Sequence, residues 1–281
     1  MEPFKISIIT PVYNMRTYIE QCICSVADQD VHLEHLVIDG NSTDGTQMIL
    51  KNKIGLNWIS ENDKGMYDAL NKGLSMAKGE IIGQLNADEQ YLPGTLSYVL
   101  DFFDKHPHID YIVGDFLVVD TNNELIAYRK SFKPFWPFFF SNYLYNYTCT
   151  LFYRKKVSKK LCYNSNLKSI ADVDFFYKLQ KLNFKGAYLR RFMATYMHTG
   201  KNLSILPFSR NEKSEYESNV LPFWFKIVKP FFKGLFHFLR LLNGSFWYKG
   251  NLEYSLFEKG VSKNRRVYIN KKPTWRWVLT R

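Results

Sequence analysis

The sequence lacks the features that would embed it in a membrane or staple it outside a cell. No run of about 18–20 uncharged apolar residues offers a membrane span. Met1-Glu-Pro-Phe-Lys5 leads directly into strand-like sequence, so no signal peptide is expected. Cysteine is scarce: Cys22, Cys24, Cys149 and Cys162 lack zinc-site spacing, and Cys22-Ile-Cys24 is too close for an ordinary bridge. Free thiols in a reducing compartment, the cytosol, are therefore expected. Nothing repeats at a fixed period, which argues against a repeat architecture. Acidic residues are scarce in one region only. Residues 205–281 hold 15 Lys+Arg against 5 Asp+Glu, whereas residues 1–204 hold 23 against 21, so the tail carries +10 of the net +12.

What is present is enough apolar sequence for a real core. Of 281 residues 46% are hydrophobic, which allows one large domain or one domain plus an appendage. The chain is organised around Gly79-Glu-Ile-Ile-Gly-Gln-Leu-Asn-Ala-Asp-Glu-Gln-Tyr91, a short apolar run that ends abruptly in carboxylates. If Glu80 to Leu85 is a buried parallel strand, Asn86, Asp88 and Glu89 lie just past its carboxyl end, where open α/β sheets bind ligands. There Asp88 and a neighbour could hold a hard divalent cation, which could grip a diphosphate, or the stretch could be only a polar turn capping the next helix.

The preceding residues repeat a strand and helix alternation. Ile6 to Asn14 reads as a strand broken by Pro11, followed by a helical pattern to about Val26; Glu34 to Asp39 and Leu56 to Ser60 read as strands, and Met66 to Met76 as a helix. This order implies βαβ units and a parallel sheet, with the loops at 10–14, 39–46 and 86–89 sharing one edge. A helix to about Lys105 and a strand from Ile109 to Val119, bearing Gly114-Asp115, continue the pattern. Ser131 to Thr148 is crowded with rings, among them Phe132, Phe135, Trp136, Phe138, Phe139, Phe140, Tyr143, Tyr145 and Tyr147, in no regular period. It reads either as a core-covering loop or as an exposed aromatic wall for an acceptor or membrane interface. Ala171 to Leu179 starts an amphipathic helix with Asp172 and Asp174 at its beginning, where a carboxylate is often only a cap.

Beyond Ser204 the α/β pattern ends. Within Leu221–Phe246, Lys226, Lys229, Lys233, His237 and Arg240 recur at spacings of three or four while apolar residues fill most other positions. That is a narrow basic stripe on a wide apolar helix, with Pro230 expected to kink it. The helix either packs on the body of the protein or lies on a membrane surface, and the width of its apolar arc favours the membrane surface. No recognised nucleic-acid motif accompanies the charge, so nucleic acid is not expected as a partner.

Four blocks in order resemble family 2 glycosyltransferases: Ser7-Ile-Ile-Thr-Pro-Val-Tyr-Asn14, Val37-Ile-Asp-Gly-Asn-Ser-Thr-Asp-Gly-Thr46, Ser60-Glu-Asn-Asp-Lys-Gly-Met-Tyr-Asp-Ala-Leu-Asn-Lys-Gly73 and Gly79 to Glu89. A fainter likeness runs through Gly114-Asp115 to Ala171-Asp-Val-Asp174 and is lost after Ser204. The resemblance implies an α/β protein of the GT-A type, with a Rossmann-like, mostly parallel sheet and flanking helices. It also implies transfer of a sugar from a nucleotide diphosphate donor with inversion at the anomeric carbon. Residues 1–204 would form the glycosyltransferase domain and 205–281 a basic, aromatic-rich helical extension.

Carried over by the resemblance, Thr10, Pro11 and Tyr13 frame the base and Asp39 accepts a hydrogen bond from it. Asp63 stands near the nucleotide with Lys64 near the phosphates, Asn86 and Ala87 line the donor, Asp88 is the metal ligand and Asp172 the catalytic base. A divalent ion, Mn²⁺ or Mg²⁺, would neutralise the departing diphosphate, and a carboxylate would take the acceptor's proton. Three departures stand out. Asp-x-Asp is here Asn86-Ala-Asp88 followed by Glu89, the family's Glu-Asp is Ala171-Asp172, and its His-Gln is Thr148-Cys149. Glu89 and His198, in Tyr196-Met-His-Thr-Gly200, are further candidates for the metal. The expected partners are a nucleotide-sugar, most simply a UDP-sugar, a glycan or lipid-linked saccharide acceptor, and an anionic membrane at whose cytosolic face the enzyme works. The rival readings are a nucleotidyltransferase, for which 11–16 lacks a basic phosphate-gripping loop, and a non-catalytic membrane scaffold, encouraged by Asn86.

Overall fold

The computed structural model describes residues 4–141, 144–200, 202–203 and 206–277, with the side chains of 261–263 excepted. Tyr143, Ser204 and the 204/205 boundary therefore lie outside the described residues. A nine-stranded sheet forms the body, in the order β3-β2-β1-β4-β8-β6-β9-β5 with β7 on β6. Here β1 is Ile6–Val12, β2 Leu33–Asp39, β3 Asn57–Ser60, β4 Ile81–Gln84, β5 Gln90–Tyr91, β6 Tyr111–Val119, β7 Leu125–Arg129, β8 Phe152–Arg154 and β9 Gly186–Met197. The first four strands pair in parallel, and β6 and β9 run the same way, so only β5, β7 and β8 oppose the common direction.

Every residue of β1 is buried, as expected of a central strand covered on both faces. Pro11 does not break it. The strand runs on to Val12 because its pairing with β4 ends at Ile9, so the donor that proline lacks falls where no neighbour needs it. Helices α1 (Ile19–Ala27), α2 (Thr46–Lys51), α3 (Met66–Met76) and α4 (Thr95–Lys105) complete this half. Gly73 lets α3 lie directly on β1, since a Cβ there would collide with Ile9.

The aromatic segment folds into the short helix α5 (Trp136–Ser141) and its flanks, followed by α6 (Lys155–Ser158) and α7 (Ala171–Lys181). Phe138, Phe139, Phe140 and Tyr145 are buried. They are covered by α9 (Phe225–Leu242), whose Phe236 ring centre lies 5.1 Å from that of Phe138 and 4.7 Å from that of Tyr145. Two ring-rich segments far apart in sequence are thus each other's partners, and most of the described rings at 131–148 belong to the core, with Phe135 exposed.

The C-terminal region is not purely helical. After α8 (Pro207–Val220) and α9, β10 (Leu252–Glu258) and β11 (Val261–Asn270) form an antiparallel hairpin. The Gln90 side chain holds this hairpin to β5, accepting from Phe257 N at 2.8 Å and donating to Phe257 O at 3.1 Å. Leu252, Tyr254, Leu256 and Tyr268 share a cluster with Leu92, Leu117 and Tyr128. Helix α9 runs uninterrupted through Pro230 and is apolar on two sides. One side, with Phe225, Val228, Phe232, Leu235, Phe236 and Leu239, packs on the body. The other leaves Ile227 73% and Phe231 65% exposed, along with Phe238, Leu241 and Leu242. Lys226, Lys233 and His237 flank that outer side, but Arg240 is buried against Phe246 and Trp275.

Candidate active site

The loops that leave β1, β2, β3 and β4 meet at one edge of the sheet because the four strands run in parallel. Backbone to side-chain bonds fasten the first two loops together: Asn14 N donates to Ser42 Oγ at 2.8 Å and Thr43 N to Asn14 Oδ1 at 2.8 Å. Asp39 is wholly buried and accepts from Ser42 N at 3.1 Å and Ser60 Oγ at 2.6 Å, as well as from Ser42 Oγ. Its carboxylate therefore holds the loop rather than facing a ligand. Thr10 is likewise turned inward, its hydroxyl 2.9 Å from His35 Nε2, and Pro11 is buried.

What remains open is a small cleft of other residues. Tyr13 is 62% exposed and its ring borders Gly40, while Asp63 faces Gly40 from the other side. A Cβ on Gly40 would stand 2.6 Å from Asp63 Oδ2, so glycine keeps the floor between ring and carboxylate flat. Asp63 also accepts from Gly65 N at 2.8 Å, which fixes it. Lys64 is exposed beside it.

Past β4, Glu89 turns back to accept from Asn86 N at 2.8 Å and is buried, while Asp88 is half-buried. Burial pushes both carboxyls above the usual range, and the charge of Asp88 pushes Glu89 further. A cation would favour ionisation of such a pair. Ala87 points away, into a cluster with Val12, Ile19 and Ile23, so its side chain cannot touch a donor. Asn86 Oδ1 lies 3.3 Å from Gln84 Nε2. His198 is half-buried beside Trp277, and its buried Nδ1 has no hydrogen-bond partner. Among the described residues no three His, Cys, Asp or Glu groups come together as a metal site. Asp88, Glu89 and His198 thus do not form a preassembled cage. An ion completed by a substrate diphosphate and water needs only one or two carboxylates, a requirement Asp88 fits.

A polar and aromatic path leads from this loop to α7. Gln84 Oε1 accepts from Tyr163 OH at 2.8 Å, and Tyr163 stacks on Tyr67, 5.7 Å between ring centres. Burial raises the Tyr67 hydroxyl, and the nearby charge of Asp172 raises it further. Asp172 accepts from Val173 N at 2.8 Å, and burial raises its carboxyl to about 6, with Lys213 opposing the shift and Glu212 adding to it. Asp174 is engaged elsewhere. It is buried, accepts from Tyr216 OH at 2.6 Å and pairs with Lys178 at 2.7 Å. Tyr67, Tyr163 and Gln84 escaped sequence reasoning, although Tyr67 and Gln84 lie inside two of the four family-like blocks.

A mixed α/β sheet whose adjacent parallel strands carry these loops at one edge has the GT-A arrangement. The profile of glycosyl transferase family 2 matches residues 7–162, and the chain belongs to that family. It is 38% identical over 104 residues to TuaG of Bacillus subtilis, assigned as a teichuronic acid biosynthesis glycosyltransferase, covering 34% of this chain and 41% of that protein. It is also 25% identical over 222 residues to chondroitin synthase of Escherichia coli, covering 75% of this chain and 32% of that one. The chain thus spans less than half the length of these relatives. Among solved structures, Staphylococcus aureus TarS residues 1–349 with UDP-GlcNAc superposes with a TM-score of 0.60 at 25% identity, covering 72% of this chain and 61% of that one. The same TarS segment with UDP gives 0.58 at 26% identity, covering 69% and 61%.

Proposed function

We propose that the protein is an inverting glycosyltransferase that moves a sugar from a nucleoside diphosphate donor, of the UDP-sugar class, to a hydroxyl of a glycan or lipid-linked saccharide during surface polysaccharide assembly. The observation that carries this reading is the division of the site. A ring and carboxylate cleft with Asp88 beyond it serves one substrate, and Asp172, linked to it through Gln84, Tyr163 and Tyr67, serves another. The TarS structures with UDP and UDP-GlcNAc and the relatives in polysaccharide synthesis support it.

In this reading Tyr13 stacks on the base and Asp63, rather than the expected Asp39, accepts from it. Asp88 is the residue that holds a divalent cation, Mn²⁺ or Mg²⁺, which when bound neutralises charge on the diphosphate. The acceptor oxygen forms its bond to the anomeric carbon from the face opposite the leaving diphosphate, its proton passes to Asp172, and the nucleoside diphosphate leaves with the bonding electron pair. A carboxyl near 6 is ionised at neutral pH yet basic enough for this work.

No helix among the described residues is long and apolar enough to cross a membrane. The outer side of α9, apolar and flanked by Lys226, Lys233 and His237, suits the anionic cytosolic surface of one. Residues 205–281 act in this reading to bring the site to its acceptor.

The test is a panel of nucleotide sugars with Mn²⁺, scored by melting temperature and by slow hydrolysis, since a ligand that binds the folded state raises its melting temperature. One UDP-sugar should shift the transition and be hydrolysed. Binding without hydrolysis or transfer would favour the scaffold, and pyrophosphate release from a nucleoside triphosphate would favour a nucleotidyltransferase.

A further inference from the structure

Helix α8 is attached to the protein in an unusual way. Its inward positions are Ser209, Glu212, Lys213, Tyr216, Glu217 and Val220, one stripe at helical spacing, and only the last is aliphatic. A helix that served stability alone would present an apolar stripe. This one presents hydrogen-bonding groups, and they converge on the residues around Asp172. Glu212 accepts from Lys168 N at 2.6 Å, from Ser169 N at 2.8 Å and from Ser169 Oγ at 2.7 Å. Ser209 Oγ lies 2.9 Å from Ser169 Oγ, and Tyr216 OH donates to Asp174 at 2.6 Å.

These contacts fall three and four residues before Asp172 and two after it. Helix α7 has no side-chain cap of its own, because its N-cap residue is Ile170, and the Ser169 hydroxyl just before it is bonded to α8. The carboxylate of Glu212 ties down the backbone N–H groups that lead into the helix, and its negative charge is favourable near a helix N-terminus. Buried Tyr67 of α3 is also close enough to Asp172 for that carboxylate's charge to add to the rise that burial imposes on its hydroxyl.

We propose that α8 is the positioning element of the acceptor half of the site, with Glu212 the positioning residue that fixes Asp172 where it meets the acceptor hydroxyl. The proposal rests on the reading of Asp172 as the base. It takes α8 out of a peripheral targeting role and makes it part of the catalytic assembly.

The groups facing Asp172 are Glu212 and Lys213 from α8, Tyr67 from α3, and Tyr163. Glu212 and Lys213 act on it with opposite sign. In the full-length protein, Glu212→Ala should lower kcat for transfer by about 10–100-fold, the scale of a small misplacement, while donor affinity stays within about twofold. Glu212→Gln keeps the shape and one accepting oxygen, so it should retain more transfer. It also removes a negative charge, so the acid limb of kcat/KM should move to lower pH. Lys213→Gln should move the same limb to higher pH. The opposite displacements check that both charges stand beside Asp172, and the fall in kcat with donor affinity kept is what a merely structural helix would not produce. Transfer and an acid limb unchanged in Glu212→Ala, Glu212→Gln and Lys213→Gln, with Asp172→Asn inactive, would overturn the role of α8 while leaving the base in place. Transfer retained by Asp172→Asn would instead overturn the reading beneath it.

Discussion

The two halves of the proposed site are built by different means. On the donor side, Tyr13, Gly40, Asp63 and Asp88 each sit just past one of four adjacent strands running in parallel, so the sheet itself brings them together. On the proposed acceptor side, the turn that leads to Asp172 is tied down by Glu212, a residue of another helix far away in sequence. Parallel register makes the first half robust to the details of any one side chain. The second depends on individual polar contacts and should be easier to disable without unfolding the protein.

The largest effect separating the halves should come from the donor side. Asp88→Ala should lower transfer by about 10³-fold, as loss of several kcal/mol of charge stabilisation implies, and should weaken donor binding as well. Metal titration of donor binding is the check, and full turnover in excess chelator would contradict it. A second contrast lies within α9. Phe236→Ala opens a cavity at the joint of the two aromatic segments and should cost about 3–5 kcal/mol, lowering Tm by roughly 10 °C. Phe231→Ala, on the exposed side, should change stability by less than about 0.5 kcal/mol, measured by the same denaturation. The smallest effect is on the surface reading. Reversing Lys226 and Lys233 should weaken binding to vesicles containing anionic lipid by about 1 kcal/mol per charge and reduce its salt dependence. Lys229 and Arg240 are unsuitable for this test, since Lys229 pairs with Glu217 at 3.0 Å and Arg240 is buried. Vesicle binding indifferent to both reversals would assign α9 to packing alone.

The same contrast decided what could be read in advance. The strands and helices from Ile6 to Lys105 follow local periodicity, and the loops carry their side chains at fixed places after each strand, so the donor edge was legible. Orientation was not. Thr10, Asp39 and Ala87 carry family-like identities, yet their side chains face His35, Ser42 with Ser60, and the cluster around Val12. A sequence motif names the residue without saying which way its side chain turns. Helix α9 misled for a related reason: an apolar arc too wide for one contact was read as one surface, although it holds a packing face and an exposed face side by side. The polar stripe of α8 was invisible because its partners, Lys168, Ser169 and Asp174, have no local relation to it.

The central claim is that Asp172 and not Asp174 takes the acceptor's proton, and one pair of variants tests it most directly. Transfer and donor hydrolysis should be measured with one donor and one acceptor across pH. Wild-type transfer should rise as pH increases through about 6, because the Asp172 carboxyl must be ionised to accept a proton and burial holds it there. Asp172→Asn should bind donor nearly as well and lower transfer by about 10²-fold or more. Asp174→Asn should keep transfer and lose about 1–3 kcal/mol of stability, since it weakens the bonds to Tyr216 and Lys178. Near-normal transfer by Asp172→Asn beside a folded but inactive Asp174→Asn would contradict the account.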